Sequence, residues 1–191
     1  GVGLAENLRY DLVSSRSTMD DTETSEPPEP SPGDNAIPGV TLDLLDPDSR
    51  LTPAQRAWVL EHARRALATL SARGEVRVKV VGDSEMALAH ELHKSVPGTT
   101  DVLTFDLEPG DPGLLDTDML VCVDEAQRQA ERLAHTTERE LLLYIVHGVL
   151  HCVGYDDVDE ADAALMHARE DELLEGVGVG VTFARGAGDA R

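Results

Sequence analysis

Between Thr137 and Val153 the chain is apolar on nearly every side, and this segment restricts the fold more than any other. Thr137-Glu138-Arg139-Glu140 reads as a helix start with a capping box closed by Glu140, and Leu141-Leu142-Leu143-Tyr144-Ile145-Val146 carries the helix on. Gly154 follows where a left-handed cap would end it. A helix without a polar face has to be covered on all sides, so other elements must pack around it. At 191 residues the chain has enough length for one domain that can do so, and hardly for two.

The surrounding elements follow from periodicity. Val40, Leu42 and Leu44 alternate with polar residues and predict a half-buried strand. Thr52-Pro53-Ala54-Gln55 opens a helix with an N-cap, a first-turn proline and a capping-box glutamine. Val59, Ala63, Ala66, Leu67 and Leu70 continue it at helical spacing, and Gly74 is expected to close it. Val76, Val78 and Val80 alternate with Arg77 and Lys79 as a second strand, and a short helix is expected over Ser84–His93. Val102–Leu107 and Met119–Val123 read as strands, the latter apolar on both faces and therefore central. Asp124 is expected to cap a helix reaching about Leu133. A last helix is expected from about Asp159 to Leu174, with Ala161, Ala164, Leu165 and Ala168 inward. The fold class is α+β: a mixed sheet of about four strands packed with five helices, among them a zincin-like active-site helix.

Residues 1–38 are read as a disordered acidic tail. Ser14 to Asn35 is rich in Ser, Thr, Pro, Asp and Glu, with Met19 its only large apolar residue, too little to offset the entropy of ordering. The domain is expected over residues 39–175, and the glycine-rich residues 176–191 as a flexible C-terminal tail. No apolar run approaches the roughly 20 residues a membrane helix needs, so no membrane association is expected. No basic segment followed by an apolar stretch opens the chain, and a cytoplasmic location is expected. Cys122 and Cys152 both sit in apolar surroundings and read as reduced, buried thiols. The formal net charge of -21 opposes nucleic-acid binding by a basic surface, so any phosphate-bearing ligand must be held by a local site.

That local site is read from His147 and His151. One helical turn apart, the two imidazoles project from one face, about 5–6 Å apart at Cβ, and their nitrogens can meet one zinc ion at roughly 2.0–2.1 Å. Two imidazoles in so apolar a helix are costly unless they gain partners. Gly154 can reverse the chain and bring the carboxylate of Asp157 over the same ion. The offsets of 4, 7 and 10 are those of the metzincin pattern His-Glu-x-x-His-x-x-Gly-x-x-His, with two departures. Gly148 stands in the place of the catalytic glutamate, and Asp157 in that of the third histidine. His167 is a rival third ligand that reads better as a solvated or core-edge residue, and Cys152 reads as core.

The segment His147-Gly148-Val149-Leu150-His151-Cys152-Val153-Gly154-Tyr155-Asp156-Asp157 closely resembles the signature His-Gly-x-Leu-His-x-x-Gly-Tyr-Asp-His of the YbeY family of rRNA-maturation factors. The resemblance extends over roughly residues 40–175. Thr100-Asp101-Val102-Leu103-Thr104-Phe105 and Asp118-Met119-Leu120-Val121-Cys122 resemble two of its strands, with Thr117 replacing a glycine. It implies a zinc-dependent single-strand endoribonuclease in 16S rRNA 3′-end processing and ribosome quality control. The partners implied are the 16S rRNA precursor and ribosomal proteins or the small subunit, with one Zn2+ per chain. The family also places an arginine in the cleft shortly before the Thr-Asp-Val-Leu strand, where an ungapped count puts Lys94, beside His93. A lysine there holds phosphate as a point charge, without the bidentate fork of arginine. Two other readings remain open from sequence: a non-catalytic ribosome-associated factor with a structural or weakened zinc site, and a metalloprotease lacking its glutamate.

Overall fold

The computed structural model describes residues 39–183. Four strands, β1 (Val40–Leu45), β2 (Arg73–Val81), β3 (Val102–Asp106) and β4 (Leu114–Cys122), form one sheet in the order β1-β2-β4-β3. β1 and β4 run parallel to β2, whereas β3 pairs antiparallel with β4, so the sheet is mixed. Among the described residues five helices accompany it: α1 (Pro53–Leu67), α2 (Asp83–Lys94), α3 (Val123–Leu133), α4 (Thr137–Cys152) and α5 (Glu160–Gly176). The expected α+β architecture is the one observed. The acidic stretch 1–38 and residues 184–191 lie outside the described residues.

Helix α4 is the hub of the packing. It touches α1, α3, α5, β3 and β4. Its Leu141, Leu142, Ile145, Val146, Val149 and Leu150 are all buried completely. Each such side chain contributes roughly 1.5–3 kcal/mol of gross burial energy, which is why this helix lies inside rather than against the sheet's outer layer. Helix α1 packs its Val59, Ala63, Ala66 and Leu67 into the same core. It starts with the expected capping box, Gln55 N–H donating to Thr52 Oγ and the Gln55 side chain accepting from Thr52 N–H.

Several local expectations are corrected. Helix α1 ends at Leu67, and Gly74 is part of β2, with φ of +125°. A Cβ at Gly74 would stand 2.0 Å from the Leu115 carbonyl oxygen, so the glycine permits close strand approach. Strand β4 begins at Leu114 instead of Met119. Asp116 and Asp118 hid its start because they face a buried cation: Arg77 donates from Nε to Asp118 (2.6 Å) and also bonds Asp116 and Glu75. Asp124 does not cap its own helix; it accepts from the Asp83 N–H at 2.8 Å and so caps α2. Thr136 is the N-cap of α4, without a side-chain bond. Glu140 forms no capping box; it is buried against His135 at 2.8 Å.

The inner face of α5 is also rotated from the expected one. Ala161, Ala164, Leu165 and Ala168 are exposed, while Met166, Glu170, Asp171, Leu173 and Leu174 point inward. Hydrophobicity alone favoured the alanine face; the structure turns two carboxylates inward because each has a partner there. Asp171 accepts from the backbone N–H groups of Thr182 and Phe183, and Glu170 serves the site described below. Within the stretch read as a flexible tail, residues 180–182 are further tied to Arg139 by hydrogen bonds.

Candidate metal centre

The C-terminal end of α4 closes with a left-handed turn. Gly154 has φ of +96°, its N–H donates to His151 O at 3.1 Å, and the Tyr155 N–H reaches back to Leu150 O at 3.0 Å. This is the six-to-one and five-to-two bonding of a Schellman cap, and it folds residues 155–157 back over the helix end. The turn carries two consequences for the site. It swings Asp157 toward the imidazoles, and it places the Tyr155 carbonyl beside His151.

His147 and His151 face each other with Nε2 atoms 3.2 Å apart and ring planes at 89°. Asp157 sets Oδ1 3.7 Å from His151 Nε2 and Oδ2 3.9 Å from His147 Nε2. These three residues form the one convergent group of potential ligands among the described residues, with donor atoms all within 4.8 Å of one another. A tetrahedral zinc with bonds of roughly 2.0–2.1 Å sets its ligands about 3.4 Å apart, close to this spacing.

The other face of each ring fixes its tautomer. His147 Nδ1 lies 2.8 Å from Glu170 Oε1, and His151 Nδ1 lies 3.1 Å from the Tyr155 carbonyl oxygen. A carbonyl and a carboxylate only accept, so each Nδ1 carries the hydrogen. With both imidazoles neutral, the Nε2 lone pairs therefore point at one another across 3.2 Å, an arrangement that repels unless a proton or a metal ion lies between them. This donor chemistry fits a divalent metal. Burial depresses the His147 pKa, but the Glu170 hydrogen bond and charge, with Asp157 and Asp101 beyond, outweigh it and leave the pKa above its ordinary value.

Glu170 is the functional residue that sequence reasoning missed. It is wholly buried on α5, and Oε2 has no hydrogen-bond partner. The signal was there in principle: a glutamate at helical spacing among Met166, Leu173 and Leu174. The other expected site residues are placed as follows. Lys94, exposed at the end of α2, lines the same cavity of about 390 Å3 as His147 and His151, together with Asp101, Thr104 and Asp106. His167 is not in the ligand group; it stacks on Phe183 at 3.9 Å. Cys152, expected in the core, is half-buried in the cavity wall, donating to Gly148 O at 3.4 Å.

Gly148 explains its own departure from the metzincin pattern. A Cβ there would lie 2.3 Å from Met119 Cε and 2.4 Å from Thr104 Oγ1. The sheet occupies the space a glutamate side chain would need.

Fold and geometry together define a class: an α+β domain whose buried central helix presents two imidazoles, joined past its C-cap by a carboxylate. The sequence profile of the family described as endoribonuclease YbeY matches residues 48–178, and this chain belongs to that family. It is 36% identical over 153 residues to the endoribonuclease YbeY of Macrococcus caseolyticus, covering 73% of this chain and 97% of the relative. The corresponding protein of Acidothermus cellulolyticus is 38% identical over 148 residues, covering 71% and 84%. Among solved structures, the solution structure of a Thermotoga maritima protein aligns with a TM-score of 0.50 at 24% identity, covering 72% of this chain and 89% of the other, a likeness of fold.

Proposed function

We propose that this chain is a zinc-dependent endoribonuclease that cuts single-stranded RNA, acting in 16S rRNA 3′-end maturation and ribosome quality control, with residues 39–175 as the catalytic unit. The observation that carries the reading is the pair of Nε2 lone pairs held face to face by Glu170 and the Tyr155 carbonyl, with Asp157 beside them. Membership in the endoribonuclease YbeY family supplies the substrate class. His147, His151 and Asp157 hold the ion. Zinc, when bound, supplies Lewis acidity for a phosphodiester and acidifies a water near neutral pH.

The chain's own residues do the rest. Glu170 and the Tyr155 carbonyl lock the two rings in the ligating tautomer. Lys94 neutralises a phosphate entering the cavity by point charge. Asp157 makes the site one unit less positive than three imidazoles would, weakening its hold on the phosphodiester. With a net charge of -21, the protein gains no attraction for RNA from its overall field, so encounter through ribosomal proteins or the small subunit in the cytoplasm is the reading adopted. No helix among the described residues is long and apolar enough to cross a membrane. The protease reading is disfavoured by Gly148, since Thr104 and Met119 fill the space of the missing glutamate.

The test uses the purified full chain with single-stranded RNA and with casein, before and after chelation. RNA cleavage that disappears on chelation and returns with zinc, with casein intact, is the expected result. Cleavage that is indifferent to the chelator, or RNA that stays whole with zinc present, overturns the proposal. A second measurement concerns Glu170→Gln. The neutral amide keeps the shape but loses the charge behind His147, and zinc affinity should fall about ten- to hundredfold in a competition titration.

A further inference from the structure

The two oxygens of Asp157 do not play equal parts toward one imidazole; each is nearest a different one. Oδ1 is 3.7 Å from His151 Nε2, and Oδ2 is 3.9 Å from His147 Nε2. The carboxylate thus straddles the point on which the two Nε2 lone pairs converge, instead of aiming a single oxygen at it. From this we infer that Asp157 binds the ion through both oxygens and so narrows the site's preference for zinc over larger, oxygen-seeking divalent cations such as Mn2+. The inference rests on the metal-site reading given under Proposed function and deepens it.

Coordination number supports it first. Structural and catalytic zinc favours four ligands in a tetrahedron, one donor atom from each residue. Two imidazole nitrogens and a bidentate carboxylate already make four protein donor atoms from three residues. Adding the positions that water or a phosphate oxygen must occupy brings the total to five or six, a number suited to Mn2+ or Fe2+ more than to zinc. Room for those positions exists on the open side, because the Asp157 side chain is 44% exposed and the adjoining cavity holds about 390 Å3.

Donor character supports it independently. Carboxylate oxygen is a harder donor than imidazole nitrogen, and a set of two histidines and one carboxylate suits first-row ions with open positions. Glu170 and the Tyr155 carbonyl hold the imidazoles in fixed orientation, so adaptation to a larger ion falls on Asp157. That residue sits after the Schellman turn, where its backbone N–H bonds only locally, to Asp156 Oδ1 at 2.8 Å. A short, exposed segment can shift by the few tenths of an ångström that separate zinc from manganese bond lengths.

The experiment measures metal binding alone, without RNA. Full-length protein freed of metal is titrated with Mn2+, read by the loss of the free-ion paramagnetic resonance signal, and with Zn2+ against a chromophoric chelator. The same titrations are run on Asp157→His and Asp157→Asn. The expected result is one Mn2+ site per chain, with a zinc-to-manganese affinity ratio that rises about tenfold or more in D157H, which supplies a third nitrogen donor. D157N, which keeps the shape and removes the anionic second oxygen, should weaken Mn2+ binding more than Zn2+ binding. A ratio that stays within about twofold across the three proteins overturns the inference, as does Mn2+ binding that never saturates at one per chain. If both ions bind as expected yet RNA is not cut, the nuclease reading fails and the metal assignment stands. If zinc binds but Mn2+ does not, the inference falls and the zinc site stands; if neither ion binds, both fall.

Discussion

Replacing His147 by alanine is expected to abolish stoichiometric zinc binding, to lower RNA cleavage by roughly a thousandfold or more, and to cost stability as well. The first two effects follow from removing one of three donors. The third follows from what stands behind the ring. Glu170 is wholly buried, its Oε1 is bonded to His147 Nδ1, and its Oε2 has no partner. Without the imidazole the carboxylate is left as an uncompensated buried charge, a loss of about 3–5 kcal/mol. For a chain of this size that lowers Tm by roughly 6–20 °C. His151→Ala makes the contrast that tests this account. Its Nδ1 partner is only the Tyr155 carbonyl, so metal and cleavage should be lost while about 1 kcal/mol of stability goes with them. Thermal melts of the two metal-free variants decide it: equal Tm values would mean that Glu170 is not held by His147.

Gly148→Glu should be the most damaging single change in the site, although it writes the protease motif in full. Even the Cβ would meet Thr104 Oγ1 at 2.4 Å and Met119 Cε at 2.3 Å. The methionine can swing its terminal methyl away, but the threonine belongs to β3, whose hydrogen bonds to β4 fix its backbone. The rest of the glutamate would bring a charge to a buried position of the helix. A destabilisation of about 4 kcal/mol or more is expected, read by denaturant unfolding, and no protease activity should appear. Gly148→Ala separates the two costs. Alanine gains about 1 kcal/mol of helix propensity and loses about 1–3 kcal/mol to overpacking, so a net loss of about 0–2 kcal/mol should remain. A stable, folded G148E protein would show that the strand can retreat from α4.

Much of the site could be read along the chain because its geometry is local. The four-residue separation of His147 and His151 puts the rings together in any helix, and Gly154 closes that helix wherever it sits. Elsewhere local rules misled. Asp124 looks like the cap of the helix it belongs to and in fact caps α2, whose first residue lies 41 positions earlier. Arg77 looks like a solvent-facing residue of an alternating strand and in fact anchors Asp118 across the sheet, also 41 positions away. On α5 the alanine face looked like the buried one because propensity scales carry no knowledge of what a carboxylate will find opposite it.

The chain by itself therefore determined the buried helix, the histidine pair and the turn that returns Asp157, since each depends on residues within about one to three helical turns. Tertiary structure alone decided the rest. It set Glu170 behind His147 across 23 residues, so that the ring's tautomer is imposed by a neighbour from another helix. It brought Lys94 from the end of α2 to the wall of the cavity that holds the histidines. It also gave Gly148 its reason, by pressing β3 and β4 against the helix where a side chain would otherwise stand. Periodicity and capping are written in neighbouring residues, whereas partners brought together by packing are known only once the core has closed.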